Sequence, residues 1–518
     1  MIKKVLSARF FLYLRQFLEL YQWKKNFKRL QSSTRQGPIL ATKQQKFLIG
    51  STIGGNLNTL ALDLILTFAL KDRGHTVDFA LCDGGFDACM YAELNKFNSL
   101  QDFLKDGMDR LCRNCSVTGK QVLGFTDIPL ISLSPKAPTA YSSEFDEIAK
   151  SGAKRFLGLG TDSLEDEYIA ILNKFKSATV QFSNSIQEAL VKKKYDVVIA
   201  HHGIYVPQAL YQKYATESNI KFVSWAQGYR KGTYIFSWND TYHRELMKPF
   251  KELSPLNSDQ LSTIKQYLDS RDIGENDWIR FGITTKKNSL DIPIDWSKPS
   301  AVLLTNVSWD AQLHYESRLF ENMHDWILQT IRWFIANPDC NLIIRIHPAE
   351  MTGKIKSREP VVKFINHHFS CLPANIRVIE PLDQVSTYSL MERSNLVIIF
   401  GTKAGIEASA MGKPLLIAGE AWSRNKGIGI EPNSATEYFE FLRQFKENHN
   451  SLFRDQRRGF EVAYHYFFRK LISIRSIKPL SFYPYARPHL NKDWHENDKG
   501  LFSVIKSLED GTEFEFIN

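Results

Sequence analysis

The stretch from Ile343 to Gly427 decides the fold. It opens IIRIHPAE (343–350) and closes LVIIFGTKAGIEASAMGKPLLIAGEAWSRNKG (396–427). Each half is an apolar run, then a polar turn, then a helical pattern. Leu342 to Ile346 reads as a short buried strand followed by His347, Pro348, Ala349 and Glu350. Leu396 to Phe400 reads as a second strand, and Gly401, Thr402, Lys403, Ala404 and Gly405 lead into a helix carrying Glu407. In open parallel sheets, ligands bind outside the carboxyl ends of strands, near helix starts. A helix start offers unpaired N–H groups and a positive dipole end, which suit phosphate. Gly401 and Gly405 let backbone approach a ligand, while Thr402 and Lys403 add a hydroxyl and a charge.

The same alternation extends outward. AVLLTNVSWD (from Ala301), NLIIRI, IRVIE, LVIIF and PLLIAG read as strands, with helical patterns between them. Regular β/α alternation predicts a parallel sheet. Earlier in the chain, KFLIG (46–50), the turn STIGGN, a helical run to Gly74 and HTVDFALC form a second βαβ signature. STIGGN lacks the G-x-G-x-x-G spacing of a dinucleotide site. Tyr195 to Ala200 is a further buried strand, ending in His201, His202 and Gly203. At 518 residues the chain exceeds one ordinary core. We expect a basic segment over 1–46, an N-terminal Rossmann-like domain over 47–290, a C-terminal one over 291–475 and a tail over 476–518.

Residues 1–46 hold eleven lysines and arginines against Glu19 alone, which accounts for the whole net charge of +10. Phe10, Phe11, Tyr13, Phe17, Tyr21, Trp23 and Phe27 are interleaved with them. A basic, aromatic helix suits an anionic membrane surface; the plainer reading is a helix docked on the protein. Nucleic acid is not an expected partner, because the basic excess stops where the folded body starts. No run approaches the ~20 apolar residues of a spanning helix, and no secretory signal is apparent. A cytoplasmic protein, peripheral at the inner face of the membrane, is expected.

Cys82, Cys89, Cys112 and Cys115 cluster in CDGGFDAC and CRNC. Four such thiols can hold a structural zinc ion or remain reduced. Among other candidates, His347 can donate to a phosphate, protonate a leaving group, or cap its own loop. Arg345 either meets the donor or faces a helix layer. Glu350 can hold a ribose hydroxyl, orient His347, or be solvated. Arg424 and Lys426 in AWSRNKG can meet a diphosphate or an acidic sugar. Asp83 and His202 follow strand ends in the first domain and are candidate general bases. Tyr229, Arg230 and Lys231 are placed at the acceptor or the domain interface. No D-x-D stands at a strand end, so cations are expected to neutralise the donor phosphate without a catalytic divalent metal.

RIHPAE, STYSLMERSNLVIIFGTKAGIEASAMGKPLLIAGEAWSRNKG and AYHYFFRK resemble bacterial capsular-polysaccharide biosynthesis proteins of the GT-B glycosyltransferase type, and HHGIYVPQALYQK and YRKGTYIFS are similar to the same group. The resemblance covers roughly residues 45–475. It implies an α/β GT-B fold, two Rossmann-like domains with parallel sheets facing a central cleft. The HP pair and the Ser/Thr-containing glycine turn are also similar to bacterial sialyltransferases and capsule 3-deoxy-octulosonate transferases. Those families use the His and the turn on the donor phosphate, which implies that role for His347 and Thr402. Nucleotide-sugar transferases often use a Glu placed like Glu407 on ribose hydroxyls. The acidic base motif has only a loose match in CDGGFD, so the base stays open between Asp83 and His202.

The resemblance therefore implies transfer from a nucleotide-activated sugar (CMP-, UDP- or GDP-linked) to a surface polysaccharide or lipid-linked glycan. Two alternatives stand beside it: a polyol-phosphate transferase of a teichoic-acid-like pathway, and a non-enzymatic nucleotide-sugar-binding partner of a polysaccharide assembly complex.

Overall fold

The computed structural model describes residues 15, 18–28, 41, 43–136, 140–250, 252–271, 274, 276–278, 292–310, 319–481, 484–490 and 497–517. The first sheet is built on β1 (Lys46–Thr52), β2 (Thr76–Cys82), β3 (Leu130–Leu133), β4 (Val197–His201) and β5 (Lys221–Gln227), followed by β6 (Thr233–Trp238). The second holds β7 (Ser300–Leu304), β8 (Asn341–Arg345), β9 (Ile376–Ile379), β10 (Leu396–Ile399) and β11 (Leu415–Ile417). The second sheet runs in the order β11-β10-β7-β8-β9, all parallel. The first runs β6-β5-β4-β1-β2-β3, parallel except for the antiparallel β6.

In both, the first strand is central, the next two lie on one side, and the chain then crosses to the other side. Each sheet thus has one switch point, between β1 and β4 and between β7 and β10. A crevice opens at such points outside the carboxyl ends.

Both sheets are covered on two faces, which is why their strands read as unbroken apolar runs rather than alternating ones. In β1, Phe47 and Ile49 enter one core while Leu48 enters another. In β7, Ala301 and Leu303 face one core and Val302 and Leu304 the other. A further core joins the domains. It draws Ala226, Leu246 and Tyr267 from the first and Ile406, Ala410 and Trp422 from the second.

The chain returns after the second sheet. The helix Gln456–Tyr464 runs into a π-helical turn, His465–Lys470. The strand β12 (Ile472–Ser473) then joins β6 antiparallel. The helix Lys499–Asp510 buries Leu501, Val504, Ile505 and Leu508 in the core of the first domain. The described residues of 472–517 therefore pack on the N-terminal domain, although they follow the C-terminal one in sequence.

Residues 18–28 are helical. Leu20, Trp23 and Phe27 of this helix are buried in the first-domain core, and Phe27 lies 5.3 Å from Phe68. Glu19 takes Arg487 at 2.6 Å. This part of the basic segment uses its apolar face on the protein itself, while Tyr21 is exposed. Residues 1–14 and 29–40, which carry the rest of the expected membrane-facing segment, lie outside the described residues. So do residues 279–291, around the expected boundary between the two domains. No helix among the described residues is long and apolar enough to cross a membrane.

Candidate functional site

The loops after β7, β8 and β10 meet at the switch point of the second sheet. The His347 N–H donates to Thr305 Oγ1 at 2.9 Å. Asn306 Nδ2 donates to the Gly401 carbonyl at 3.1 Å. The loop after β7 thus braces the HP turn on one side and the GTKAG turn on the other. Thr305 and Asn306 escaped the sequence reading, which ran a strand through TNVSWD; the change from apolar to polar after Leu304 was the available signal.

His347 is fixed as a donor. Its Nδ1 accepts the Ala349 N–H at 3.1 Å, which leaves the ring proton on Nε2. Burial pushes its pKa down to about 4, helped by Lys403 and Arg345. At neutral pH it is an uncharged imidazole with its N–H on Nε2.

Thr402 stands before the helix Ala404–Ala410, and its Oγ1 accepts the Ala404 N–H at 3.4 Å. Gly405 is required for packing. A Cβ there would lie 2.5 Å from Ile399 Cδ1 and 2.8 Å from Ser423 Oγ. The loop 420–427 therefore closes directly over the glycine turn.

Lys403 and Glu407 form the centre of a buried ion network. Lys403 Nζ lies 3.0 Å from Glu407 Oε1. Arg271, from the segment between the domains, donates its Nε to the same oxygen at 2.9 Å, and the Tyr388 hydroxyl donates to Oε2 at 2.9 Å. Arg271 also pairs with Asp277. Lys403 sits 4.7 Å from the ring centre of Tyr229, across the domain interface. Burial, with Arg271, brings the Lys403 pKa down to about 8 against the pull of Glu407. Burial acts to raise the Glu407 carboxyl, but Arg271 and Lys403 outweigh it and hold it well below its ordinary range.

Several expected donor contacts are used elsewhere. Glu407 is 2% exposed and engaged by three side chains, so its carboxylate serves the ion network rather than standing open to a ribose. Glu350 is fully buried and accepts the Val361 N–H at 3.2 Å, capping the helix Val361–His368. Burial raises its pKa to about 7. Arg345 donates to the Glu380 carbonyl. Lys426 Nζ is held by the Lys248 and Arg424 carbonyls and lies 4.4 Å from the Phe250 ring centre. In each case only the fold decides which way the polar head turns.

Arg424 differs from these. It is 2% exposed, and its closest ionic neighbour, Glu420, is 4.0 Å away. Its Nε and Nη2 have no hydrogen-bond partner in the protein, and neither has the buried Ser423 Oγ beside it. Unmet buried donors of this kind are costly.

In the first domain, a non-glycine residue in left-handed backbone ends one strand flanking the switch point and directly follows the other. These are Thr52 with φ 51° and His202 with φ 66°. Such residues cost of order 1–3 kcal/mol and cluster at functional sites. The His202 N–H donates to the Trp225 carbonyl at 2.7 Å. Its Nδ1 is buried without a partner. Burial, then His201, His243 and Arg155, hold its pKa well below the ordinary value, so the ring is neutral.

Asp83 is differently placed. It pairs with Lys120 at 2.8 Å and accepts Ser132 and Ser134 hydroxyls at 3.1 and 3.0 Å. Burial acts to raise its pKa, but Lys120 and the serines outweigh it and hold the carboxyl below its usual range. These contacts tie the end of β2 to β3 and to the helix Asp109–Leu123.

Cys82, Cys89, Cys112 and Cys115 line one pocket with Thr52 and Phe182. The expected zinc site does not assemble from them. Among the described residues no three His, Cys, Asp or Glu side chains are arranged to hold a metal ion. CRNC lies within the helix Asp109–Leu123, which packs on the STIGGN turn. A Cβ at Gly54 would lie 2.7 Å from the Cys115 carbonyl oxygen. Cys82 and Cys115 sulfurs accept the Gly84 and Gly55 N–H groups at 3.2 and 3.1 Å. Burial raises the Cys89 and Cys115 thiols to about 12 and 11, so they stay protonated.

Two Rossmann-like domains, each built on a largely parallel sheet with one switch point, make a GT-B fold. Residues 293–456, most of the second domain, match the family described as capsule polysaccharide biosynthesis protein. No curated protein sequence matches the chain. Among solved structures it is similar to the Thermosulfurimonas dismutans KpsC beta Kdo 2,4 transferase, with 11% identity over 53% of this chain and 80% of that one at a TM-score of 0.32. It is also similar to UDP-GlcNAc 2-epimerase from Neisseria meningitidis bound to UDP-GlcNAc, with 14% identity, 82% and 98% coverage and a TM-score of 0.30. A third is a putative UDP-N-acetylglucosamine 2-epimerase from Listeria monocytogenes, with 12% identity, 92% and 100% coverage and a TM-score of 0.31.

Proposed function

We propose that this protein is a glycosyltransferase of capsule polysaccharide biosynthesis, moving a sugar from a nucleotide-activated donor to a glycan acceptor. The family match supports the class. The observation that carries the chemistry is His347, an imidazole locked by Ala349 with its proton on Nε2, in the electrostatic reach of Lys403.

The donor phosphate sits at the β7/β10 switch point. The Nε2–H of His347 and the ammonium of Lys403 bind it, with Thr402 beside them. Arg424 supplies a second, buried cationic contact, which an anionic donor group would satisfy. The acceptor hydroxyl attacks the anomeric carbon. The bond from that carbon to the phosphate oxygen breaks, and its electron pair leaves with the nucleotide. The hydroxyl proton passes to His202, whose neutral ring has an unpartnered nitrogen. The charge growing on the leaving phosphate is met by cations already in place, so little reorganisation is needed, and no divalent metal is assigned to this step. The nucleotide is cytidine-, uridine- or guanosine-based. A lipid-linked acceptor at the inner membrane face fits the basic charge of residues 1–46.

Thermal or chemical denaturation in the presence of CMP, CDP, UDP, GDP and their sugars tests this. A ligand at about 100 times its dissociation constant adds roughly 2.7 kcal/mol. One nucleotide should stabilise the protein selectively, and His347→Ala and Thr402→Ala should abolish the effect. Equal responses to every nucleotide, or an undiminished response in both variants, would refute the assignment.

A further inference from the structure

Trp422 belongs to the donor-domain loop 420–427, yet its ring lies among those of the acceptor domain. It is 5.5 Å from His243 with an interplanar angle of 33°, 5.9 Å from Tyr229 and 6.1 Å from Tyr242. Tyr466 of the returning helix closes the other side at 5.5 Å. Trp422 and His243 are both 5% exposed.

His243 in turn lies 5.7 Å from His202 and 4.1 Å from Tyr242. The remaining neighbours of His202 are Tyr205 at 5.2 Å, Tyr242 at 5.5 Å and His201 at 5.5 Å. Arg155 sits over the Tyr205 ring at 5.3 Å. A His used in proton transfer is ordinarily oriented by a hydrogen bond on one ring nitrogen. His202 Nδ1 has none, so packing against these rings takes over that task. Of those rings, His243 and Tyr242 both meet Trp422 of the other domain, His243 at the shorter distance and the smaller interplanar angle.

We propose that Trp422 is a positioning residue: acting through His243, it sets the orientation of His202 and ties the acceptor-side base to the loop that carries Arg424. This rests on the reading of His202 as the base. The consequence is a coupling between half-sites. A displaced donor loop removes the support of the base, so proton transfer waits on a properly seated donor loop.

The test follows His202 directly, without substrate. In full-length protein labelled with 15N-histidine, its ring resonances are assigned by their loss in His202→Gln and followed against pH. Trp422→Leu, which reaches His202 through His243 and Tyr242 rather than by direct contact, should move the His202 titration upward by a pH unit or more. Trp422→Phe should stay near wild type, and His243→Leu should reproduce the Trp422→Leu shift. With the donor selected by the nucleotide panel, Trp422→Leu should lower kcat at least tenfold with donor KM little changed, and Trp422→Phe should recover most of it. A Trp422→Leu protein with a lower Tm but unaltered His202 titration and kcat shows a merely structural residue and overturns the proposal. If that variant does not fold, an unmoved titration in His243→Leu does the same. Full transfer by His202→Gln would instead remove the base assignment.

Discussion

Replacing Glu407 by Gln separates two roles that the same residue can play. In the structure, Glu407 Oε1 lies 3.0 Å from Lys403 Nζ and 2.9 Å from Arg271 Nε. Removing one partner of a buried ion pair costs about 3–5 kcal/mol, because the other charge is left uncompensated. Part of that cost appears as a fall in the Lys403 pKa. Lys403 stands at about 8 with Glu407 in place. By the conversion of 1.36 kcal/mol per pKa unit, losing about 3 kcal/mol moves it down by roughly 2 units. At pH 7.5, about three quarters of the wild-type lysine is charged, against a few per cent in the variant. At pH 5.5, both are mostly charged.

The expected result is a loss of nucleotide affinity of tenfold or more at pH 7.5, largely recovered at pH 5.5. Calorimetric titration of each protein with the selected nucleotide measures it, with wild type as the reference at each pH so that phosphate protonation cancels. A glutamate that holds ribose hydroxyls would lose the same factor at both pH values. That outcome, or unchanged binding at pH 7.5, refutes the reasoning.

Arg424→Met should leave the ligand-free protein no less stable in denaturant melts, since it removes a desolvated cation with two unmet donors, and it should still lose nucleotide binding by tenfold or more. Glu350→Gln should uncover a linkage. The folded carboxyl is raised to about 7, so folding takes up a proton, and its contribution is full below the ordinary carboxylate pKa and lost as pH rises through 7. The variant should therefore gain on wild type by up to roughly 3 kcal/mol between pH 5 and 8, read from paired urea melts. Turnover should show no ionisation of His347 between pH 6 and 8, because that ring is already neutral; a limb assigned to it by its loss in His347→Gln would contradict this.

The β/α alternation of the second domain was legible because parallel sheets buried on both faces write their strands as apolar runs, and glycine and proline mark the turns between them. The positions of His347 and Thr402 followed from the same pattern, since a polar residue directly after such a run lies at the carboxyl rim of the sheet. The direction of a long side chain at that rim is not written locally. Glu350, Arg345 and Lys426 stand beside the site in sequence and turn into helix caps and loop carbonyls. The partners that decided the state of Glu407 come from positions 136 and 19 residues away. Likewise Asp83 was a plausible base until β3 brought Ser132 and Ser134 to it.

The sequence by itself determined the class of fold, the two rims and the aromatic richness of the loops, because these depend on periodicity and on local backbone preference. Only the tertiary structure decided which polar groups are already satisfied and which remain unmet. It returned the strand Ile472–Ser473 and the helix Lys499–Asp510 to the first domain, set Trp422 against His243, and left Arg424 buried without partners for two of its donors. The reason is that hydrogen bonds and ion pairs are saturable and short-ranged. What a side chain can still bind depends on neighbours that the chain supplies from far away, and spacing along the sequence carries no record of them.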